Sequence, residues 1–214
     1  MDGPNSNYGT SIVGTVSGTS ISFGSAVVFN SAASSRISSA YDANAQKTLI
    51  AYSDGGNSNQ GTAIIGTISG TSVSFGTPVV FSNETGTMQC TSSTYDSTLQ
   101  KVIVAYSNGA DSFYGKSIVG TIQGTTVSFG EASYINGTNI AVNTVLVYNS
   151  TENKTACLFK DNGDTYGKGV VLTATNALTI GSDYYVQADG TLSTTVSSVP
   201  AGRALSSTSI LLEG

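Results

Sequence analysis

The sequence contains no histidine and no tryptophan, only two cysteines, two methionines and three prolines, and just 10% of its 214 residues are charged. Each scarcity excludes something. Without histidine there is no Ser-His-Asp or Cys-His nucleophile pair, and a principal zinc ligand is missing. Eight Lys and Arg stand against 13 Asp and Glu, a formal charge of −5. That balance argues against nucleic acid or an anionic bilayer as partner, because both need clustered positive charge. No apolar run approaches the roughly 20 residues of a membrane helix, so membrane insertion is not expected. Cys90 and Cys157 are too few for a disulfide framework and read as buried thiols acting as small hydrophobes. Met1-Asp2-Gly3-Pro4 has neither the basic nor the apolar stretch of a signal peptide.

What the chain has is glycine, 25 residues of it, set in an internal repeat. SIVGTVSGTSISFG at 11–24 returns as AIIGTISGTSVSFG at 63–76 and SIVGTIQGTTVSFG at 117–130. A worn copy, KGVVLTATNALTIG, lies at 168–181, so the offsets are 52, 54 and 51 residues. A second block precedes three of the copies: SSAYDANAQKTLIAYSD at 38–54, SSTYDSTLQKVIVAYSN at 92–108 and VLVYNSTENKTACLFKD at 145–161. Such a period marks a repeat architecture, which has to be recognised before any fold is assigned.

One unit parses into four strands, at 37–41, 47–52, 62–68 and 72–81, the last kinked or bulged at Gly76 and Pro78. Each is rich in β-branched or aromatic residues and bounded by Gly, Asn, Asp or Ser, the strand-and-hairpin pattern. Leu49-Ile50-Ala51-Tyr52 and Val102-Ile103-Val104-Ala105-Tyr106 are unbroken apolar runs. A strand with one wet face alternates; an unbroken run belongs to a strand covered on both faces. The expected fold is therefore all-β, a propeller-like array of four-stranded antiparallel blades, about three and a half repeats of ~53 residues. The repeat array is placed at 1–181, as a half unit 1–31 and units 32–81, 82–135 and 136–181. A short C-terminal β module for capping or oligomerisation follows at 182–214.

The loop after the second strand reads Asp161-Asn162-Gly163-Asp164-Thr165-Tyr166, of the form D-x-G-x-T-aromatic. Asp54, Gly56 and Asn57 fall in one related loop, Asn108 and Asp111 in another. These loops resemble the Asp-box turn of sialidase-type β-propellers. The resemblance implies a structural role for Asp54, Gly56, Asn57, Asn108, Asp111, Asp161, Gly163 and Asp164, with the carboxylate accepting backbone N–H bonds. The copies depart from the pattern where Asn59 replaces the aromatic and Ala110 the glycine. Asp161, Asn162 and Asp164 offer oxygens that could face calcium, but the D-x-D-x-D-G spacing is absent, and no metal or cofactor is expected. Enzymatic readings fail on inventory. A sialidase would need three arginines, and the chain has only Arg36 and Arg203. The recurring Asp42 and Asp96 read as turn caps, and Glu84, Glu131, Glu152 and Asp183 fall in different phases of the unit.

Residues 2–10 align with 54–62, so the array is expected to start within a unit and to be completed by a longer chain or by sister subunits. The tail departs from the repeat. Tyr184-Tyr185-Val186, Asp189-Gly190 and residues 191–195 read as a hairpin, followed by short strands at 201–206 and 209–212. This tail resembles a terminal module of bacteriophage virion proteins, and the V-G-T-V-S-G-T-S-I-S-F-G repeat resembles those of fibre-like proteins of marine phages. The resemblance implies a non-enzymatic virion component, a tail fibre or capsid-associated decoration, in the virion or otherwise extracellular. Its partners would be other virion proteins, sister copies and a cell-surface glycan or receptor. Two other readings stand beside it. One is a carbohydrate-binding propeller with sugars stacked on Tyr8, Tyr114 and Tyr166; the other is a secreted bacterial adhesin-like repeat protein.

Overall fold

The computed structural model describes residues 7–135, 137, 140–163 and 166–172, and the strand backbones 183–186, 192–193, 200–204 and 210–211. It is all-β, and the chain divides into two compact units, Met1–Thr173 and Ala174–Gly214. The first unit opens with β1 (Tyr8–Ser11), β2 (Gly14–Ser17), β3 (Ser20–Phe23) and the long β4 (Val27–Asp42). β5 (Lys47–Asp54), β6 (Gln60–Ser69), β7 (Ser72–Phe75) and β8 (Val79–Ser82) follow. The series returns as β9 (Met88–Asp96), β10 (Lys101–Asn108), β11 (Gly115–Gln123), β12 (Thr126–Phe129) and β13 (Ser133–Tyr134). A third pass supplies β14 (Ala141–Asn149), β15 (Lys154–Asp161) and β16 (Gly167–Leu172).

All these strands pair antiparallel in chain order, β4-β5-β6-β7, then β9-β10-β11-β12, then β14-β15-β16. The fourth strand expected over 72–81 is two short strands along one edge of β6. β7 pairs with residues 66–69 and β8 with residues 61–63. Between them the Gly76 N–H turns in to the Ile65 carbonyl at 3.0 Å, and Pro78 has no N–H to donate. The break is the kink the sequence implied.

The first strand of the unit departs from expectation. In place of a short strand at 37–41 there is a 16-residue strand, β4. Its first part pairs with β1 and its second with β5. Between the two pairings with β5, at Ser35 and Ser38, lies a register shift where Arg36 takes φ +53°. A bulge of this kind adds twist and re-aims a strand, and β4 joins β1 to β5 within one six-stranded sheet. Residues 31 and 32 consequently lie inside a single continuous strand.

The turns repeat as closely as the strands. At the tip between third and fourth strands the two-residue loops begin with Gly18, Gly70 and Gly124, each near φ +60°. A first loop residue with positive φ is the type II′ arrangement, which matches strand twist and favours glycine. At the same end of the unit, in the turn between first and second strands, Asp42 accepts the N–H groups of Asn44 and Ala45, both at 2.9 Å. Asp96 does the same for Thr98 and Leu99, and Asn149 for Thr151 and Glu152. These are Asx turns: a short side chain supplies the acceptor that the reversing backbone lacks.

Successive sheets stack face to face, and the middle strands show it most plainly. Along β10, Val102, Val104 and Tyr106 enter one core with Leu49, Ala51 and Ile65 of the preceding sheet. The alternate residues Ile103 and Ala105 enter another with Leu146, Cys157 and Phe159 of the following sheet. β5 divides likewise, with Ile50 and Tyr52 turned to Phe29 and Ile64 in a third core. The unbroken apolar runs are thus strands covered on both faces, as their sequence required. First strands neighbour first strands in register. The Thr91 hydroxyl donates to the Arg36 carbonyl, and the Ser92 hydroxyl accepts from the Leu146 amide at 2.9 Å.

In the second unit, β17 (Asp183–Val186) pairs with β18 (Leu192–Ser193), the strands of the hairpin expected there. β17 also pairs with β19 (Pro200–Ala204), and β19 with β20 (Ile210–Leu211), giving a four-stranded antiparallel sheet.

The stacking puts a specific demand on the glycine that follows the third hairpin. A Cβ on Gly76 would lie 1.8 Å from the carbonyl oxygen of Thr125, the hairpin tip of the next sheet, and one on Gly24 would lie 2.0 Å from that of Thr71. Backbone cannot yield as a flexible side chain does, so Gly76→Ala forces the sheets apart. The expected cost is about 2–3 kcal/mol, the scale of overpacking in a core. Ser74→Ala, on the exposed face of the same strand, should change the melting temperature by less than about 1 °C. Thermal unfolding of the two variants checks this; equal melting temperatures would mean that the sheets are not held at this approach.

Candidate functional site at the loop end of the stacked sheets

In-register stacking brings the turns between second and third strands to one end of the array, and the ion pairs found among the described residues lie there. In the first complete sheet the turn is a 3-10 segment, Gly55–Asn57, capped by Asp54, whose carboxylate accepts the Gly56 N–H at 3.0 Å. Asn30 of the preceding strand donates to the same oxygen at 2.9 Å. The following residues Ser58 and Asn59 both take φ near +55 to +60°. In the next sheet Gly109–Asp111 repeats the form, with Asn108 accepting from Ala110 at 2.8 Å, and Ser112 and Phe113 in the left-handed region. In the third, Asp161 accepts from Gly163 at 2.8 Å. Asp54, Asn108 and Asp161 are therefore the backbone caps of their turns, with Gly56 and Gly163 as donors and Asn57 as the last residue of its 3-10 segment. Asp164 lies outside the described residues.

Asp111 does something else. Its carboxylate is 2.6 Å from the Lys116 ammonium and accepts from the Tyr134 hydroxyl at 3.1 Å. Lys116 is simultaneously paired with Glu84, and it sits 5.3 Å from the centre of the Tyr134 ring. Tyr114 meets that ring edge-on at 6.1 Å. The Lys116 side chain is only 11% exposed. Burial alone would lower its pKa, but hydrogen bonds to Asp111 and Glu84 outweigh this and raise it above the usual lysine value. The hydrogen bond to Asp111 likewise raises the Tyr134 phenol. Asn108 completes the join by donating to the Glu84 carbonyl at 3.2 Å.

Strand pairing sets Lys168 opposite Phe159 as it sets Lys116 opposite Tyr106, so the equivalent position in the third sheet is Lys168, one residue beyond the sequence offset of 51, and it lies 2.7 Å from Asp161. Asp161 is buried, with one oxygen on Gly163 and the other on Lys168. A cation bound there would have to displace the ammonium, so the calcium ligands considered at Asp161 and Asn162 do not gather around an open space. Among the described residues no group of three or more Cys, Asp or Glu side chains is placed to hold a metal ion.

The three tyrosines proposed for ligand stacking stand at equivalent points, just at or before the third strand, but in different settings. Tyr8 and Tyr114 are half-buried, the latter packed on Tyr134. Tyr166 is 71% exposed. Gln60 takes the position in the first complete sheet and donates to the Asn83 carbonyl. Tyr134, half-exposed, and Glu84, set aside as out of phase, were both missed by repeat reasoning. Glu84 lies in the segment that connects fourth to first strands, and Tyr134 lies in β13, the second half of a fourth strand, at the place of Val80 in the preceding unit. A cavity of about 570 Å³ opens nearby, lined by Ser35, Arg36, Ile37, Ser53, Asn59 and Thr87. Met88 and Ile37 supply apolar surface to the same lining.

Comparison with protein-family models, with curated proteins and with solved structures finds no match.

Lys116→Met removes the shared cation and leaves Glu84 and Asp111 facing each other. The variant should lose about 1.5–3 kcal/mol, the scale of charged hydrogen bonds, seen as a melting temperature about 5 °C lower. A lysine whose pKa rises on folding stabilises fully below its unfolded value near 10.4. That contribution is lost as pH climbs through the higher folded value. The gap between wild type and variant should therefore persist up to about pH 10 and close only above it. Melting curves at pH 7, 9 and 11 check the sign; a gap that closes already between pH 7 and 9 would contradict it.

Proposed function

We propose that this chain is a non-enzymatic structural or receptor-binding component of a virion surface, a fibre or decoration that works as a homo-oligomer or within a longer chain. The observation that carries this reading is the kind of object the residues build. Equivalent antiparallel sheets stack in register through doubly covered middle strands, which makes a stiff repeat scaffold with one variable end. The charged groups at that end are engaged with each other: Lys116 with Glu84 and Asp111, Lys168 with Asp161. Such an end presents a surface; it does not poise an acid and a base. The stacking of first strand on first strand supports a propeller-type blade array. The likeness of the tail and of the repeat to phage virion proteins supplies the setting, an associational argument that fold alone could not make.

A glycan-contacting role for the same end has an observation in its favour, the exposed Tyr166 and half-exposed Tyr134, since tyrosine pairs an apolar face with a polar tip. The test takes antibodies to the chain into purified virions and into cell envelopes. Detection in virions at a fixed ratio to the capsid protein is expected; recovery only with envelopes would sink the virion reading and favour an adhesin. A glycan array with wild type and Tyr166→Ala then decides whether the loop end reads sugars.

A further inference from the structure

The array ends in two apolar faces that match each other. Within the chain every sheet has a front face, turned to the preceding sheet, and a back face, turned to the following one. Ile118, Val127 and Phe129 are front-face residues of the second complete sheet; Ile118 and Val127 are buried in the core shared with the first and Phe129 packs against it. Their repeat equivalents in the opening half unit are Ile12, Ile21 and Phe23, with Val16 in the place of Ile122. These four are between 49% and 72% exposed. At the other end, Ala40, Ala51 and Ile65 are back-face residues buried in the same core. Their equivalents in the β14-β15-β16 sheet are Val147, Leu158 and Val171, and with Val145 they are all 50–52% exposed. Along β15 the burial accordingly alternates, whereas β5 and β10 are buried almost throughout.

The front face carries no charge that would discourage association. Residues 3–35 contain no charged side chain, although exposed sheet surfaces in monomers usually carry lysines or other charges that discourage pairing. Each face is also the type of surface that the other's equivalents bury within the chain. We infer that the front face around Val16, Ile21 and Phe23 docks the back face around Val147, Leu158 and Val171 of a second copy of this chain. The contact repeats between molecules the sheet-on-sheet packing found within one. It joins unlike patches, so it is heterologous: copies form a ring if the rotation closes and a filament if it does not. This deepens the homo-oligomer part of the proposed function and rests on it only there; the virion and glycan tests above read out independently.

The experiment is a complementation by mass. Wild type should run, by light scattering or native mass spectrometry, at a multiple of the 21.7 kDa chain. Phe23→Lys blocks the front and Leu158→Lys the back, and each variant alone should be monomeric at the concentration where wild type associates. Mixed, they should form a one-to-one dimer, because one intact front meets one intact back. Both positions are exposed, so circular dichroism should be unchanged; Val16→Lys and Val147→Lys mark the same faces should either variant misfold. A monomeric wild type, a blocked variant that keeps the wild-type mass, or blocked variants that stay monomeric on mixing would each overturn the inference. The first outcome would mean that the faces stay bare or are covered by this chain's own residues, the second that copies meet elsewhere or that a face pairs with its own kind, and the third that the front of one copy does not dock the back of another.

Discussion

Burial of the second strand on both faces is the constraint from which the rest of the array follows. β5 and β10 have a hydrogen-bonded neighbour on each edge and a packed sheet on each face. A large apolar side chain moved fully out of water contributes about 1.5–3 kcal/mol. Residues 49–52 and 102–106 place nine such or smaller residues in sequence, with no solvent face to spare. A single four-stranded unit would leave half of them wet. The unit is therefore stable only in company, the condition that makes repeat proteins nearest-neighbour systems with special demands at their ends.

In-register stacking then sets local chemistry at both ends of the strands. At one end the Asx turns align, so that Tyr148 reaches back to Thr98 at 2.7 Å and Thr155 to Asp96 at 3.3 Å. Asp96 therefore caps its own turn through one oxygen and holds the neighbouring sheet through the other. At the other end the capped 3-10 turns align, and room is left between them for side chains longer than the repeat average. Lys116 uses that room to join the turn residue Asp111 to Glu84, which lies in the connection arriving from the preceding sheet. Its ion pairs thus tie a turn to a connecting segment that hydrogen bonding within one sheet would leave loose.

Much of this was legible in the residues. Unbroken apolar runs announced double coverage, Gly18, Gly70 and Gly124 announced their hairpins, and Asp42 and Asp96 announced capped turns, because each depends on a short-range rule that the local sequence satisfies alone. What escaped depends on partners far along the chain. The extension of the strand expected at 37–41 back to Val27 has no local signature: only the pairing of β1 with this edge shows that no break intervenes. Repeat alignment also worked against the ion-pair cluster. It lent weight to residues that recur and discounted those that do not, yet Glu84 sits in a non-recurring connection, and Lys116 and Tyr134 stand where the previous unit has Thr62 and Val80. Aligned copies locate the scaffold; departures among them locate what the scaffold carries.

That contrast explains why variation is confined as it is. Positions within the stack touch two sheets at once: Gly76 is held against the next hairpin's carbonyl, and Leu49 or Val104 has no exposed surface into which a larger group could move. A change there must be accommodated by both neighbours, and close-packed interiors yield little. At the loop end the same backbone position carries Asp54, Asn108 and Asp161, and another carries Gln60, Tyr114 and Tyr166. The turn geometry needs only an oxygen at the first and places no demand on the second. Chemistry can therefore differ from sheet to sheet at that end without disturbing the stack, and a surface that must meet something outside the molecule would be built there.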